Sequence, residues 1–216
     1  MIKNNLIPVA IAAITTLSGC TVGRKLSFEN KQAGPDYTTS KTATIAFLDQ
    51  RPNVLSGKSK PSLCGHIKST VQISYNVQTK DGMPLANDFA QSVSSSYSKA
   101  GVSATALNAG TGGSQETVLT AFKKDSKDRL LLFSIKEFDA RGTPGFSTIR
   151  YEIICEFVLQ VYDKNGELLA SDSTHDRLAR EQGAAVSVKQ LQDMADEELG
   201  SQINILFNKD AIKNSL

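Results

Sequence analysis

The sequence predicts an α/β or α+β fold: a single mixed β-sheet with helices packed mainly on one face. Three observations carry this. Residues 149–161 alternate strictly, with Ile149, Tyr151, Ile153, Cys155, Phe157, Leu159 and Val161 on one side, as in a strand with one buried face. Leu85, Phe89, Val93 and Tyr97 recur every four residues beside Ala86 and Ala90, which draws an apolar stripe along a helix. Residues 44–48 and 130–135 are short and almost continuously apolar, as befits strands buried on both faces.

The elements follow in order. Residues 44–48 make the first strand, and Asp49-Gln50-Arg51-Pro52 ends it, because Pro52 has no amide hydrogen and biases Arg51 toward extended backbone. Residues 53–61 read as a polar loop. Residues 67–77 alternate as one half-buried strand, and Asp81-Gly82 turns the chain into the Leu85 helix, where Pro84 suits the first turn. Gly101 stops that helix. A short strand at 102–107 leads through Gly110, Gly112 and Gly113 to a helix whose Val118, Ala121 and Phe122 face the core. After the long strand from 149, Asn165-Gly166 signals a hairpin, and residues 167–174 pair back. Ser187 and Gln190 form the start signature of a final helix, with Val186 placed to staple against Leu191. The apolar face of that helix is Leu191, Met194, Ala195, Leu199, Ile203, Leu206 and Phe207.

The N-terminus carries the strongest motif. Lys3 and an apolar run from residue 6 to 17 have the layout of an export signal, too short to span a bilayer as a helix. Leu17-Ser18-Gly19-Cys20 resembles the lipobox of bacterial lipoproteins. That resemblance implies cleavage before Cys20 and acylation of Cys20 on its sulfur and its new amino group. Two or three acyl chains hold a protein on a membrane stably. Thr21, where Asp would resemble an inner-membrane retention signal, implies an outer-membrane destination. The expected organisation is therefore a signal peptide at 1–19, a flexible tether at 20–42 and one periplasmic domain at 43–210. At about 5 to 6 Å times the square root of its length, such a tether holds the domain roughly 25 Å from its anchor.

Composition narrows the function classes. The formal charge is +2 and falls to about +1 once Lys3 leaves with the signal, so no strong field attracts nucleic acid, and no tryptophan is present for base stacking. Cys64 and Cys155 remain in a compartment where disulfides form. Cys155 points into the core. Cys64 lies off the register of Leu63 and Ile67 and on the side of His66, so a bridge would need a bend at Gly65. A disulfide, or a buried Cys155 with a separate free Cys64, both remain open.

The catalytic motifs are weak. The stretch at 108–114 is glycine-rich between strand and helix, but it lacks the Lys-Ser/Thr ending of a phosphate loop, and Gln115 stands where a dinucleotide fingerprint has its third glycine. A capped connection, with Gly113 or Ser114 as the cap, is the simpler reading. His66 and His175 have no second ligand at metal-binding spacing, so no metal or cofactor is expected. His175 beside Asp176, with Ser171 and Ser173 upstream, invites a hydrolase reading but has no nucleophile elbow. Asp139 with Arg141, and Asp176 with Arg177 and Arg180, read as solvated charge clusters. The most suggestive polar cluster is Asp49, Gln50, Arg51 and Asn53, at the end of a central strand where ligands and partners meet such sheets. It is the expected partner-binding surface, unless Asp49 and Arg51 only tie down the turn.

With the lipobox and this order of elements, residues 44–207 resemble small outer-membrane lipoproteins of the YajG-like and ABC-transport auxiliary type. The resemblance implies a periplasmic domain that assists an envelope complex without chemistry of its own and contacts the membrane through its lipid. Two other functions are weighed beside it: a carrier or sensor holding a small or lipidic ligand between sheet and helices, and an envelope hydrolase.

Overall fold

The computed structural model describes residues 24–28, 39, 41–109, 112–183 and 185–216. Its strands are β1 (Lys25–Leu26), β2 (Ala43–Asp49), β3 (Leu63–Lys68), β4 (Ser74–Thr79), β5 (Ala104–Leu107), β6 (Arg129–Pro144), β7 (Ile149–Asp163) and β8 (Leu168–Gln182). Its helices are α1 (Pro52–Leu55), α2 (Leu85–Lys99), α3 (Gln115–Phe122), α4 (Val188–Phe207) and α5 (Asp210–Lys213). The strands form one mixed sheet, as the sequence predicts.

The spine is β6. Antiparallel β7 occupies one of its edges from Arg129 to Pro144. Its other edge is shared end to end by two parallel strands: β2 pairs with residues 129–135 and β3 with residues 140–142. Beyond β2 lies β5; beyond β3 lie β4 and then β1; β8 flanks β7. The junction between β2 and β3 coincides with a bulge in β6 between Ile135 and Glu137. An extra residue inverts the alternation, so Leu131, Phe133 and Ile135 before the bulge and Phe138 and Ala140 after it reach the same core. The almost continuous apolar run ends at Ile135, where the bulge begins, which is why the sequence alone delimits a strand at 130–135.

That core lies beneath α2 and α4. All seven odd-numbered residues of β7 from Ile149 to Val161 enter it, as do the expected stripes of α2 and α4. Aromatic rings fill its middle: Phe47 stacks on Phe133 at 4.5 Å, and Phe89 meets Phe28, Phe138 and Phe157 edge-on. On the opposite face α3 covers only the start of β6, with Val118 and Phe122 packed on Ala46, Leu48, Leu130 and Leu132. Both expected caps form. Ser114 accepts from the Thr117 amide and Ser187 from the Gln190 amide.

Four expectations change. Residues 67–77 are not one strand: the chain turns at 69–73 between antiparallel β3 and β4, with Gln72 at φ 63°. Val71 and Ile73 preserve the alternation through the turn, yet both are exposed. The return strand of the last hairpin does not stop at residue 174 but runs to Gln182, which puts His175 in mid-strand. The tether and domain boundary at 42/43 gives way, because Leu26 and Phe28 are fully buried and β1 pairs with β4. The folded part also passes residue 210, with Ile212 buried in α5. Finally, Cys64 is buried, because a register shift between Leu63 and Gly65 turns it inward. Cys64 and Cys155 are both free thiols, so the bridge left open by the sequence is absent, and burial pushes both thiol pKa values up.

Candidate functional site

The site is built where β2 leaves the edge of β6 and β3 has not yet joined it. Carbonyl groups there would lack ladder partners. Arg51 fills the gap: its Nη1 donates to Leu63 O at 2.6 Å and its Nη2 to Pro61 O at 3.2 Å. Its Nε and Nη2 also hold both oxygens of Asp49, at 2.8 and 2.7 Å. This fork geometry is specific to a guanidinium. Arg51 is 8% exposed, so its charge serves the fold. Of the four residues placed on the expected partner surface, Asp49 and Arg51 are thus the tie of the turn. Gln50 is half-buried and accepts from Lys136 Nζ. Asn53 is exposed on α1, the one-turn helix that Pro52 begins.

Beside α1 opens a cleft of about 480 Å³, lined by Asn53, Val54, His66, Lys136, Asp139 and Arg141 among others. Its charges come from the sheet face that α3 leaves bare. The bulge in β6 sets Glu137, Asp139 and Arg141 on that face. Arg141 donates to Asp139 Oδ2 from Nε at 2.7 Å, with Nη2 2.6 Å from the same oxygen, and Asp139 holds the guanidinium pKa above its usual value. His66 Nδ1 stands 3.9 Å from the other oxygen, Asp139 Oδ1. That oxygen is buried and receives no hydrogen bond among the described residues. Next to this pair, the carboxylate of Glu152 is almost fully buried amid three arginines: Arg177 at 2.7 Å from Nε, Arg150 at 3.5 Å and Arg141 at 3.7 Å.

Sequence reasoning placed Asp139 and Arg141 among solvated charges and did not connect them with residues 49–53. The signal for a shared face was their spacing of two on a strand, repeated in Arg150 and Glu152. Nothing local could have shown that three strands bring these pairs together.

The histidine and glycine-rich readings also find their places. His175 and Asp176 are neighbours on β8 and therefore point to opposite faces. Asp176 opposes core residue Cys155 and receives a hydrogen bond from Gln202 of α4 at 3.2 Å. His175 lies on the bare face across from Glu156, with Nδ1 to Oε2 at 3.8 Å, so it does not form a unit with Asp176. Glu137, Glu156 and His175 stand opposite one another on β6, β7 and β8, and their ligand atoms lie within 4.8 Å of each other. Such a group has the chemistry to hold a divalent cation, but it is partly exposed and needs none to keep its place. In the glycine-rich stretch, Ser114 acts as the helix cap; residues 110 and 111 are outside the described residues. Cys20 is outside them as well.

No known family model matches the sequence, and no curated protein matches it. Several solved structures are similar at a distance. An uncharacterized protein shares 11% identity at a TM-score of 0.41, over 79% of this chain and 96% of that one. The PelC dodecamer from Paraburkholderia phytofirmans shares 13% at 0.39, over 84% and 97%. Lipoprotein GNA1162 from Neisseria meningitidis shares 14% at 0.29, over 79% and 97%. Among the described residues, no helix is long and apolar enough to cross a membrane.

Proposed function

We propose that this protein is a lipid-anchored accessory domain of the bacterial envelope, held in the outer membrane through Cys20, and that it docks a partner protein in the cleft beside α1 without chemistry of its own. The observation that carries the docking site is Asp139 Oδ1. A buried carboxylate oxygen without a donor costs free energy, and a basic or amide side chain entering from the partner would satisfy it. The surroundings suit this role. Arg51 and the Glu152 cluster fix the cleft walls, so little ordering is required on binding, and exposed Asn53 offers further hydrogen bonds at the rim. The anchoring half of the proposal rests on the Leu17-Ser18-Gly19-Cys20 motif.

The carrier reading has less support, since the space between sheet and helices is taken by the rings of Phe28, Phe47, Phe89, Phe133, Phe138, Phe157 and Phe207. Photocross-linking in living cells from probes at Asn53 and His66, with Leu169 as the remote control, tests the docking reading. One dominant protein adduct from the first two positions, weakened by Asp139→Asn, is expected. Adducts of small molecules or lipid, or equal labelling from all three positions, would contradict it.

A further inference from the structure

Two turns meet at one pole of the sheet. Because β3 and β6 run parallel in register, the β3–β4 turn at 69–73 and the β6–β7 turn at 145–148 project past the same end. Both carry apolar side chains into solvent: Val71 is 71% exposed, Ile73 is 53% exposed and Phe146 is fully exposed. These turns are well tied. The Ser69 amide donates to Ile73 O at 2.8 Å, Ser69 Oγ accepts from the Ile73 amide at 3.1 Å, and the Gly145 amide donates to Thr148 O at 2.7 Å. Three apolar groups are thus held outward at one end, where no element of the described fold covers them.

The start of the folded chain singles out this pole. In β1 the pairs Lys25 with Gln78 and Leu26 with Thr79 run parallel to β4, which itself leads away from the 69–73 turn. Followed backward, β1 therefore points at that turn. The Arg24 guanidinium already lies 3.5 Å over the ring of Tyr75, two residues from Ile73. Cys20 precedes Arg24 by only four residues, and a chain reaches at most about 3.6 Å per residue, so Cys20 lies within about 15 Å of Arg24. The opposite pole, at the β7–β8 turn, is roughly 50 Å away along the sixteen residues of β6.

We infer that the pole formed by Val71, Ile73 and Phe146 is a membrane-contact surface. The three side chains enter the interface of the phospholipid layer that holds the Cys20 acyl chains, and Arg24 and Lys68 lie at headgroup level, where basic groups favour anionic lipid. The inference rests on the acylation of Cys20 proposed above. It sets the sheet upright on the membrane and raises the cleft beside α1 to mid-height, open to a partner.

The chain has no tryptophan, so Phe146→Trp and Leu168→Trp each introduce a single fluorophore, at the near and far poles. The acylated protein is added to vesicles of phosphatidylethanolamine and phosphatidylglycerol with brominated acyl chains, which quench tryptophan only on contact. Phe146→Trp is expected to shift to the blue and lose about half its emission, a depth typical of interfacial burial, while Leu168→Trp is unchanged. Ile73→Trp should behave like Phe146→Trp. Unquenched emission at both near positions, in protein that floats with the vesicles and carries acyl mass on Cys20, would overturn the inference while leaving the anchor intact. Equal quenching at the two poles would also overturn it. A Cys20 peptide without acyl mass would remove the anchor itself, and the membrane pole with it.

Discussion

Arg51 shows how one residue can look functional in sequence and prove structural. When a guanidinium that holds a buried carboxylate and two carbonyls in a strand junction is removed, the carboxylate loses its charged partner and the Leu63 carbonyl loses a short hydrogen bond. Breaking such a buried pair costs about 3 kcal/mol or more, so Arg51→Ala should lower the urea midpoint sharply, whereas Asn53→Ala, at the exposed rim, should leave it unchanged. Arg51→Lys keeps the charge but not the fork, and should fall much nearer to Arg51→Ala than to the parent. Glu198 makes a different prediction. Burial raises its carboxyl pKa above the ordinary 4.5, the Cys155 thiol opposes this by donating to Oε1, and Asp176 adds to the rise. As pH climbs through 4.5 the unfolded chain releases this proton while the folded protein keeps it, so the group's contribution to stability falls until folded Glu198 also ionises. Glu198→Gln should flatten the decline between pH 4.5 and neutrality, read as urea midpoints at the two ends.

At the scale of elements, α2, α3, α4 and β7 were legible because each has one buried face and an uninterrupted period, whereas the one-turn helices α1 and α5 are too short to show one. Three of the failures share a physical cause, since each involves a residue that breaks the period without breaking the chain's apolar pattern. The extra residue in β6 inverts its alternation, the register shift in β3 turns Cys64 inward, and Val71 and Ile73 carry the strand pattern across a turn. Leu26 and Phe28 were too few to outweigh a polar neighbourhood, although each is fully buried. The candidate site was half legible: residues 51–53 do border the cleft, but its charged wall is assembled from β3, β6 and β7. β3 and β6 approach closely at Gly65, where φ is 154° and a Cβ would stand 2.0 Å from the Ala140 carbonyl oxygen. Gly65→Ala should therefore separate β3 from β6 and destabilise the fold strongly, with enhanced amide exchange confined to β3, β4 and β1 at sub-denaturing urea. Uniform exchange across the sheet would contradict a junction at that point.

For the whole molecule, the arrangement assigns separate regions to separate tasks. One face of the sheet is spent on the core beneath α2 and α4. The other is half covered by α3 and half bare, and the bare half bears the cleft and its charges. One pole holds the apolar turns and the incoming chain. A domain placed this way on a membrane presents the cleft sideways, within reach of a neighbouring envelope protein. The envelope location and the upright orientation both depend on the acylation proposed for Cys20. The most direct measurement is the intact mass of the protein extracted from the membrane fraction of cells, with sequencing of its N-terminal peptide. The account predicts a chain that begins at Cys20 and carries a diacylglycerol and a further acyl group, and a Cys20→Ala protein that lacks them and leaves the membrane fraction. An unmodified Cys20, or a chain cut elsewhere with its thiol free, would contradict it.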